Sequence, residues 1–415
     1  MASQFFLFTG TITQERLSWI EEGLKFFFMR LYPESLLHHA KKDDFAFTFL
    51  LTGDSLYSLI DPGTQPLWEI LLSLPSVRII CDRKELDLRG IAVERLKMRN
   101  PDQVIDHNSL GLNGRQSFWK DVVKLARQNE EPAPSTIGYL QLDSPYMHRT
   151  ALYPLLCLSA ALEVHASIDL YAYLDGVHLG HTGQNPTDAQ NIGAGLEDLN
   201  DRAAKRGLQC QMIACGRCAT ARGYSTWDDG QGAVISTCAI RPFRIREMNA
   251  IVEQFKRNHI ILGESAGDIQ LRRDNPSSAF NRPERGSQLP PITILITKTP
   301  YGSERTYGAL SLAAACAHEG ITTRVVFIED GVHALTGTQV IDPESRIFNV
   351  QELIDVIAGT ANLQMYAFTP SLQMRNLAKN RKLTAVLDLG IPELGQILFY
   401  PAGNSFADHQ RIIFF

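Results

Sequence analysis

The stretch Asp175-Gly176-Val177-His178 recurs as Asp330-Gly331-Val332-His333, and each copy runs on to a Thr-Gly pair, Thr182-Gly183 and Thr336-Gly337. Upstream, Ile137–Tyr146 (IGYLQLDSPY) parallels Ile292–Tyr301 (ITILITKTPY), and both lead through Arg-Thr, at 149–150 and 305–306, into stretches rich in small residues, Ala151 to Ala166 and Tyr307 to His318. Each unit therefore reads strand, loop, helix, strand, Asp-turn. The beginning of the chain fits more loosely: Phe5 to Gly10 (FFLFTG) is an apolar strand, Leu17 to Leu31 has helical spacing, Phe45 to Leu51 is a second strand and Gly53-Asp54 ends it. Buried strands alternating with helices at these lengths indicate βαβ units and a mostly parallel sheet with helices on both faces. Right-handed crossovers then place the loops that follow the strands along one edge, where open α/β sheets bind ligands.

The chain of 415 residues exceeds what one hydrophobic core usually serves. Three units are predicted, 1–130, 135–268 and 289–415, with 269–288 as a linker and a polar link at Gln128 to Ser135. A composition of 44% hydrophobic and 20% charged residues is that of a globular protein, and a net charge of -5 excludes a nucleic-acid binder working by bulk electrostatics. No apolar run approaches the ~20 residues that cross a bilayer, and the start lacks the basic region of a signal peptide, so no membrane association and a cytoplasmic location are expected. Seven cysteines scattered over this length do not make a disulfide framework.

Four of the seven lie between Cys210 and Cys238, and Cys215-Gly216-Arg217-Cys218 follows the strand-like run Leu208 to Ala214. A cysteine where a strand hands over to a helix meets unpartnered amides and a positive dipole end, and Arg217 and Arg222 add positive charge, so Cys215 is the candidate reactive thiol. For Cys218 two readings stand: a resolving thiol that attacks a persulfide or mixed disulfide on Cys215, or packing on the next helix turn. Cys210, Cys215, Cys218 and Cys238 also follow the ligand order of an iron–sulfur site. Strand alternation over Leu208 to Ala214 points Cys210 and Cys215 to opposite faces, so no metal is expected. No Gly-x-Gly-x-x-Gly follows a first strand and there is no Walker loop, so no nucleotide cofactor is expected. His178 sits in a motif that recurs where no cysteine follows, and so travels with the fold; Asp175 and Asp330 are expected to shape their turns by accepting backbone hydrogen bonds. His148 and Arg149 fall on the same sheet edge as Cys215, suited to an anionic sulfur species, to a partner's tail, or to capping alone. Cys157 and Cys316 read as core, and His38-His39 as surface.

The Asp-Gly-Val-His turns, Cys215 to Gly223, Thr299-Pro300-Tyr301 and Val77 to Cys81 with Arg89-Gly90 together resemble the DsrE/DsrF/Tus family of sulfur-relay proteins. The resemblance implies tandem flavodoxin-like (DsrE-like) modules, a sulfur carrier or sulfurtransferase holding sulfane sulfur as a persulfide on Cys215, donor and acceptor thiol proteins as partners, and three similar sheets packed as an internal trimer within a monomer or homodimer. It does not choose among tRNA thiolation, dissimilatory sulfur metabolism and cofactor assembly as the pathway. Cys81 would be the counterpart in the first unit, although its spacing to Arg-Gly is one residue longer, and the third unit has Phe368-Thr369-Pro370 where the cysteine would sit. A non-catalytic scaffold of a sulfur or redox complex is the alternative.

Overall fold

The computed structural model describes residues 4–31, 47–74, 77–92, 104–106, 115–127, 136–224, 227–228, 234–270, 289–342, 344, 347–399 and 409–415. Phe45, His38-His39, the link Gln128 to Ser135 and residues 271–288 of the linker lie outside them. The first segment comprises β1 (Gln4–Phe8), α1 (Gln14–Leu31), β2 (Phe47–Leu51), α2 (Gln65–Leu72), β3 (Val77–Cys81), α3 (Arg83–Arg89), β4 (Val104–Asp106) and α4 (Arg115–Arg127). The middle segment holds β5 (Thr136–Gln141), α5 (Tyr153–Glu163), β6 (Ser167–Ala172), α6 (Ile192–Lys205), β7 (Met212–Cys215) and α7 (Gly216–Ala221). It continues through β8 (Trp227–Asp228), β9 (Val234–Ile235), β10 (Phe243–Arg246), α8 (Met248–Arg257), β11 (Asn258–Gly263) and β12 (Ser265–Gln270). The last segment holds β13 (Ile292–Ile296), α9 (Arg305–His318), β14 (Thr323–Phe327), α10 (Val350–Ile357), β15 (Leu363–Phe368), α11 (Thr369–Met374), β16 (Val386–Leu389), α12 (Ile391–Phe399) and β17 (His409–Phe414).

These strands form two sheets, not three. One runs β16-β15-β14-β13-β17-β12-β1-β2-β3-β4 and joins the first segment to the last; the other runs β11-β5-β6-β7-β10-β9-β8 and belongs to the middle segment. The seam is β12, which leaves the edge of the middle sheet after Gly263 and lies antiparallel between β1 and β17. Pairing β12 on both sides satisfies two edges that would otherwise present unpaired amides and carbonyls, which is why two segments fuse into one sheet. The sequence-based boundary at 268 falls inside this strand. Apart from β12, the large sheet is parallel, as the βαβ reading requires.

Continuous apolar runs such as Phe5-Phe6-Leu7-Phe8 arise because both faces of the large sheet are covered. Phe5 and Leu7 join an inner apolar cluster shared with the middle segment, whereas Phe6 and Phe8 join an outer one with Trp19, Phe399 and Phe414. On the outer face α1 approaches α12 closely at Gly23 and Gly395, where a Cβ on Gly23 would meet the Phe399 ring.

Candidate active site

Each of the three segments contains the same local construction. The second strand ends in a 3₁₀ turn, Gly53–Leu59, Leu174–Gly180 or Glu329–Leu335. Its first residue has positive φ: 61° at Gly53, 52° at Leu174 and 53° at Glu329. That conformation is uncommon for leucine or glutamate, so the turn is imposed by its surroundings. In the two Asp-Gly-Val-His copies the glycine is obligatory, since a Cβ on Gly176 or Gly331 would overlap the carbonyl oxygen of Gln141 or Ile296 at the end of the first strand. The aspartate of each turn accepts from an arginine at the end of the short helix after the third strand: Asp54 from Arg89 (2.8 Å), Asp175 from Arg222 (2.6 Å) and Asp330 from Arg375 (2.8 Å). The expected role of Asp175 and Asp330, accepting from the turn backbone, is thus replaced by an arginine that reaches back from the neighbouring helix.

Counting back from these arginines aligns the three N-caps. Asp82, Cys215 and Phe368 are the extended residues from which α3, α7 and α11 begin, and each stands the same number of residues before its arginine. Asp82, not Cys81, therefore occupies the position of Cys215 in the first segment. Cys81 is one residue earlier, fully buried in the outer apolar cluster, because a single step along a strand reverses the side chain's face.

The Cys215 thiol is lowered from an ordinary 9 to about 7. A hydrogen bond from the Cys218 thiol is the main cause; it outweighs burial, and the amides of Arg217 and Cys218 and the Arg217 charge add to it. Cys218 is driven the opposite way by the same bond and by burial, so it holds its proton while Cys215 gives its own up. The sequence places Cys215 at an open loop edge; the structure leaves it only 2% exposed, a member of the inner apolar cluster. Cys157 and Cys316 are core thiols, and burial raises both, Cys316 to about 12. Alkylation of Cys215 is accordingly expected to rise to a plateau with a midpoint near pH 7, read from the Cys215 peptide by mass spectrometry. A midpoint near that of an ordinary thiol would contradict the arrangement.

The middle and last segments meet beside this thiol pair. Glu304, Tyr307 and Gly308, around the start of α9, engage Arg222 (2.6 Å), the face presented to Arg217 (4.4 Å from ring centroid to guanidinium carbon) and the Tyr173 hydroxyl (3.0 Å to the Gly308 carbonyl). Arg222 is tied by Asp175 and Glu304, and its charge bears on Cys218. His178 lies 3.3 Å from the Tyr224 hydroxyl through Nδ1; burial, then the Arg222 charge, lowers it below the ordinary imidazole value.

A cleft of about 850 Å³ opens where all three segments converge, lined among others by Arg16, Asp54 and Arg89 of the first, His148, Arg149 and Arg222 of the middle, and Lys298, Glu304 and Arg305 of the last. Its walls are tied by ion pairs between segments: Arg16–Glu329 at 2.8 Å, Arg149–Glu85 at 2.8 Å and Arg305 with both Asp143 (2.5 Å) and Glu264 (2.8 Å). Arg149 is thus engaged by Glu85, while His148 is exposed on the cleft wall. The thiol pair borders the cleft through Leu174, whose amide faces the Cys218 sulfur. Glu264, at the turn into β12, joins all three segments: its carbonyl accepts from the Thr9 amide (2.9 Å), and burial raises its carboxyl to about 7 beside Asp143 and Arg305. Among the described residues no group of three His, Cys, Asp or Glu side chains is placed to hold a metal, and no helix is long and apolar enough to cross a membrane. Glu304, Tyr307, Glu264 and Arg16 carry no sequence motif; only the repeated Arg-Thr beside Tyr307 hints that the start of α9 has a counterpart beside a site.

Residues 291–399 match the model of the DsrE/DsrF-like family. An uncharacterized protein of Methanopyrus kandleri is 32% identical over 95 residues, 23% of this chain and 74% of its own length. The chain belongs to the DsrE/DsrF-like family. An uncharacterized protein of Methanocaldococcus jannaschii is 44% identical over 63 residues, 15% of this chain, and this chain spans about half of its length, 53%. Among solved structures the DsrE/DsrF-like chain is similar to the ychN protein of E. coli, with 21% identity and a TM-score of 0.26, covering 31% of this chain and 98% of that one.

Proposed function

We propose that the three segments are copies of one DsrE-like module and that the middle copy carries sulfane sulfur on Cys215. The observation behind this reading is a thiol lowered to about 7 by its Cys218 neighbour at a strand-to-helix junction, in a chain of a family linked to sulfur relay. The Cys215 thiolate attacks the outer sulfur of a donor protein's persulfide; that S–S bond breaks, the donor leaves as thiolate, and Cys215 becomes a persulfide. An acceptor protein's thiolate then attacks the outer sulfur and releases Cys215 as thiolate, so there is no net oxidation or reduction. The other copies supply walls: Asp82 and Phe368 stand where Cys215 stands and cannot carry sulfur. With its three copies already in contact around the cleft, the whole chain works as a monomer or pairs as a homodimer.

Incubation with polysulfide, followed by intact and peptide mass analysis, is expected to add the mass of one sulfur atom, removable by reductant, to the Cys215 peptide. The 2% exposure of Cys215 favours a second reading, a non-catalytic scaffold; a chain that gains no sulfur on Cys215 would support it.

A further inference from the structure

We infer that Tyr307 of the last segment is a positioning residue for the Cys215 thiol, acting across the segment boundary by holding the Arg217 guanidinium against its ring face. The inference deepens the reading of Cys215 as sulfur carrier and rests on it for its functional meaning. Arg217 is exposed, lies two residues beyond Cys215, and has its guanidinium carbon 4.4 Å from the Tyr307 ring centroid. A free arginine side chain samples many rotamers, and its charge helps a nearby thiolate only for the fraction of time it stays close. A cation–π contact restricts that sampling at roughly 0.5–1 kcal/mol without neutralising the charge, which a carboxylate partner would do. Arg222 shows the contrast: Asp175 and Glu304 both pair with it.

The tyrosine is itself held. Its ring packs 4.2 Å, centroid to centroid, from that of Phe348, and its neighbours Glu304 and Gly308 bind Arg222 and Tyr173 of the middle segment. Around the thiol pair the ionisable groups are Cys218 and Arg217 on the helix that Cys215 opens, Arg222 at the end of that helix and paired with Glu304 of α9, Tyr173 after β6, and Arg246 opposite Cys215 on β10. Of these, Cys218 acts as the hydrogen-bond donor and Arg217 supplies charge to Cys215. The middle segment therefore does not complete its own site: the last segment, which has Phe368 in place of the cysteine, contributes the ring that fixes the arginine.

The test is a double-mutant cycle read as the pH midpoint of Cys215 alkylation by iodoacetamide. Tyr307→Leu keeps apolar bulk and removes the ring face; Tyr307→Phe keeps the face; Arg217→Ala, at an exposed position, removes the charge. Expected is an upward shift of about half a pH unit in Tyr307→Leu and in Arg217→Ala, no further shift in the double variant, and a parental midpoint in Tyr307→Phe. An unshifted Tyr307→Leu, or shifts that add in the double variant, would overturn the inference. Because the readout is alkylation, it stands apart from persulfide loading: a chain that shows the shift but takes no sulfur refutes the carrier reading and leaves the positioning intact.

Discussion

Cys215→Ser is expected to abolish sulfur loading, with no added sulfur on any peptide of the middle segment above the level of the reduced parent. The substitution removes one polarisable nucleophile and leaves a hydroxyl of similar shape at an extended N-cap position, so β7 and α7 have no reason to reorganise. Far-UV circular dichroism and the denaturation midpoint should match the parent closely. Sulfur acquired at the parental level by Cys215→Ser would sink the assignment and move attention to Cys218. The companion variant separates the two readings of that residue. Cys218 donates to the Cys215 sulfur in the resting state, so Cys218→Ser should raise the Cys215 midpoint, the hydroxyl being a differently placed donor. If Cys218 also resolves the persulfide, the loaded form should persist longer in Cys218→Ser than in the parent; equal lifetimes would leave Cys218 with the proton-donor role alone.

The second large effect concerns the frame around the cleft. Arg16 and Glu329 come from the first and last segments and form a bidentate pair, both bonds 2.8 Å, with side chains 7% and 6% exposed. Removing the cation leaves a buried carboxylate without its partner, which costs about 3–5 kcal/mol even though the intact pair need not be worth that much against an apolar replacement. Arg16→Met should therefore lower the denaturation midpoint sharply, and adding Glu329→Gln should recover much of the loss. For comparison, Arg202→Met breaks an exposed pair with Asp198 on α6 and should cost about 0–1 kcal/mol. A midpoint for Arg16→Met no lower than that of Arg202→Met would show that the segments are not held together there. The same pair fixes Glu329 in its left-handed turn, so its loss should also loosen Asp330 and Arg375, visible as faster amide exchange in α11.

Much of this could be read before any coordinates. The repeated Asp-Gly-Val-His marked two turns, which the structure forms as 3₁₀ turns where only glycine fits at Gly176 and Gly331 against the first strand's carbonyl. The apolar runs marked parallel strands because a sheet covered on both faces leaves no polar side to alternate with. Cys215 stood out for a local reason as well: its position at the end of β7, with Cys218 one turn on, is fixed by neighbours in sequence. The first segment was harder, since Asp54-Ser55-Leu56-Tyr57 does not spell the motif; its kinship lies in the Gly53 φ and the Arg89–Asp54 bond. Cys81 misled by one residue, a step that sequence spacing barely registers and that a strand turns into the opposite face.

What the sequence determined by itself is local: the periodicity of strands and helices, the obligatory glycines, and a thiol pair one helical turn apart, each set by residues within a few positions of one another. Tertiary structure alone decided the rest. β12 crosses from the middle segment to fill the gap between β1 and β17, which turns three expected sheets into two. Arg16, Glu264 and Tyr307 acquire their roles only from partners hundreds of residues or a segment away, and ion pairs and ring contacts of that kind depend on distances that pairing and packing set after the local elements exist. The burial of Cys215 belongs with them, because accessibility is a property of what the neighbouring elements cover.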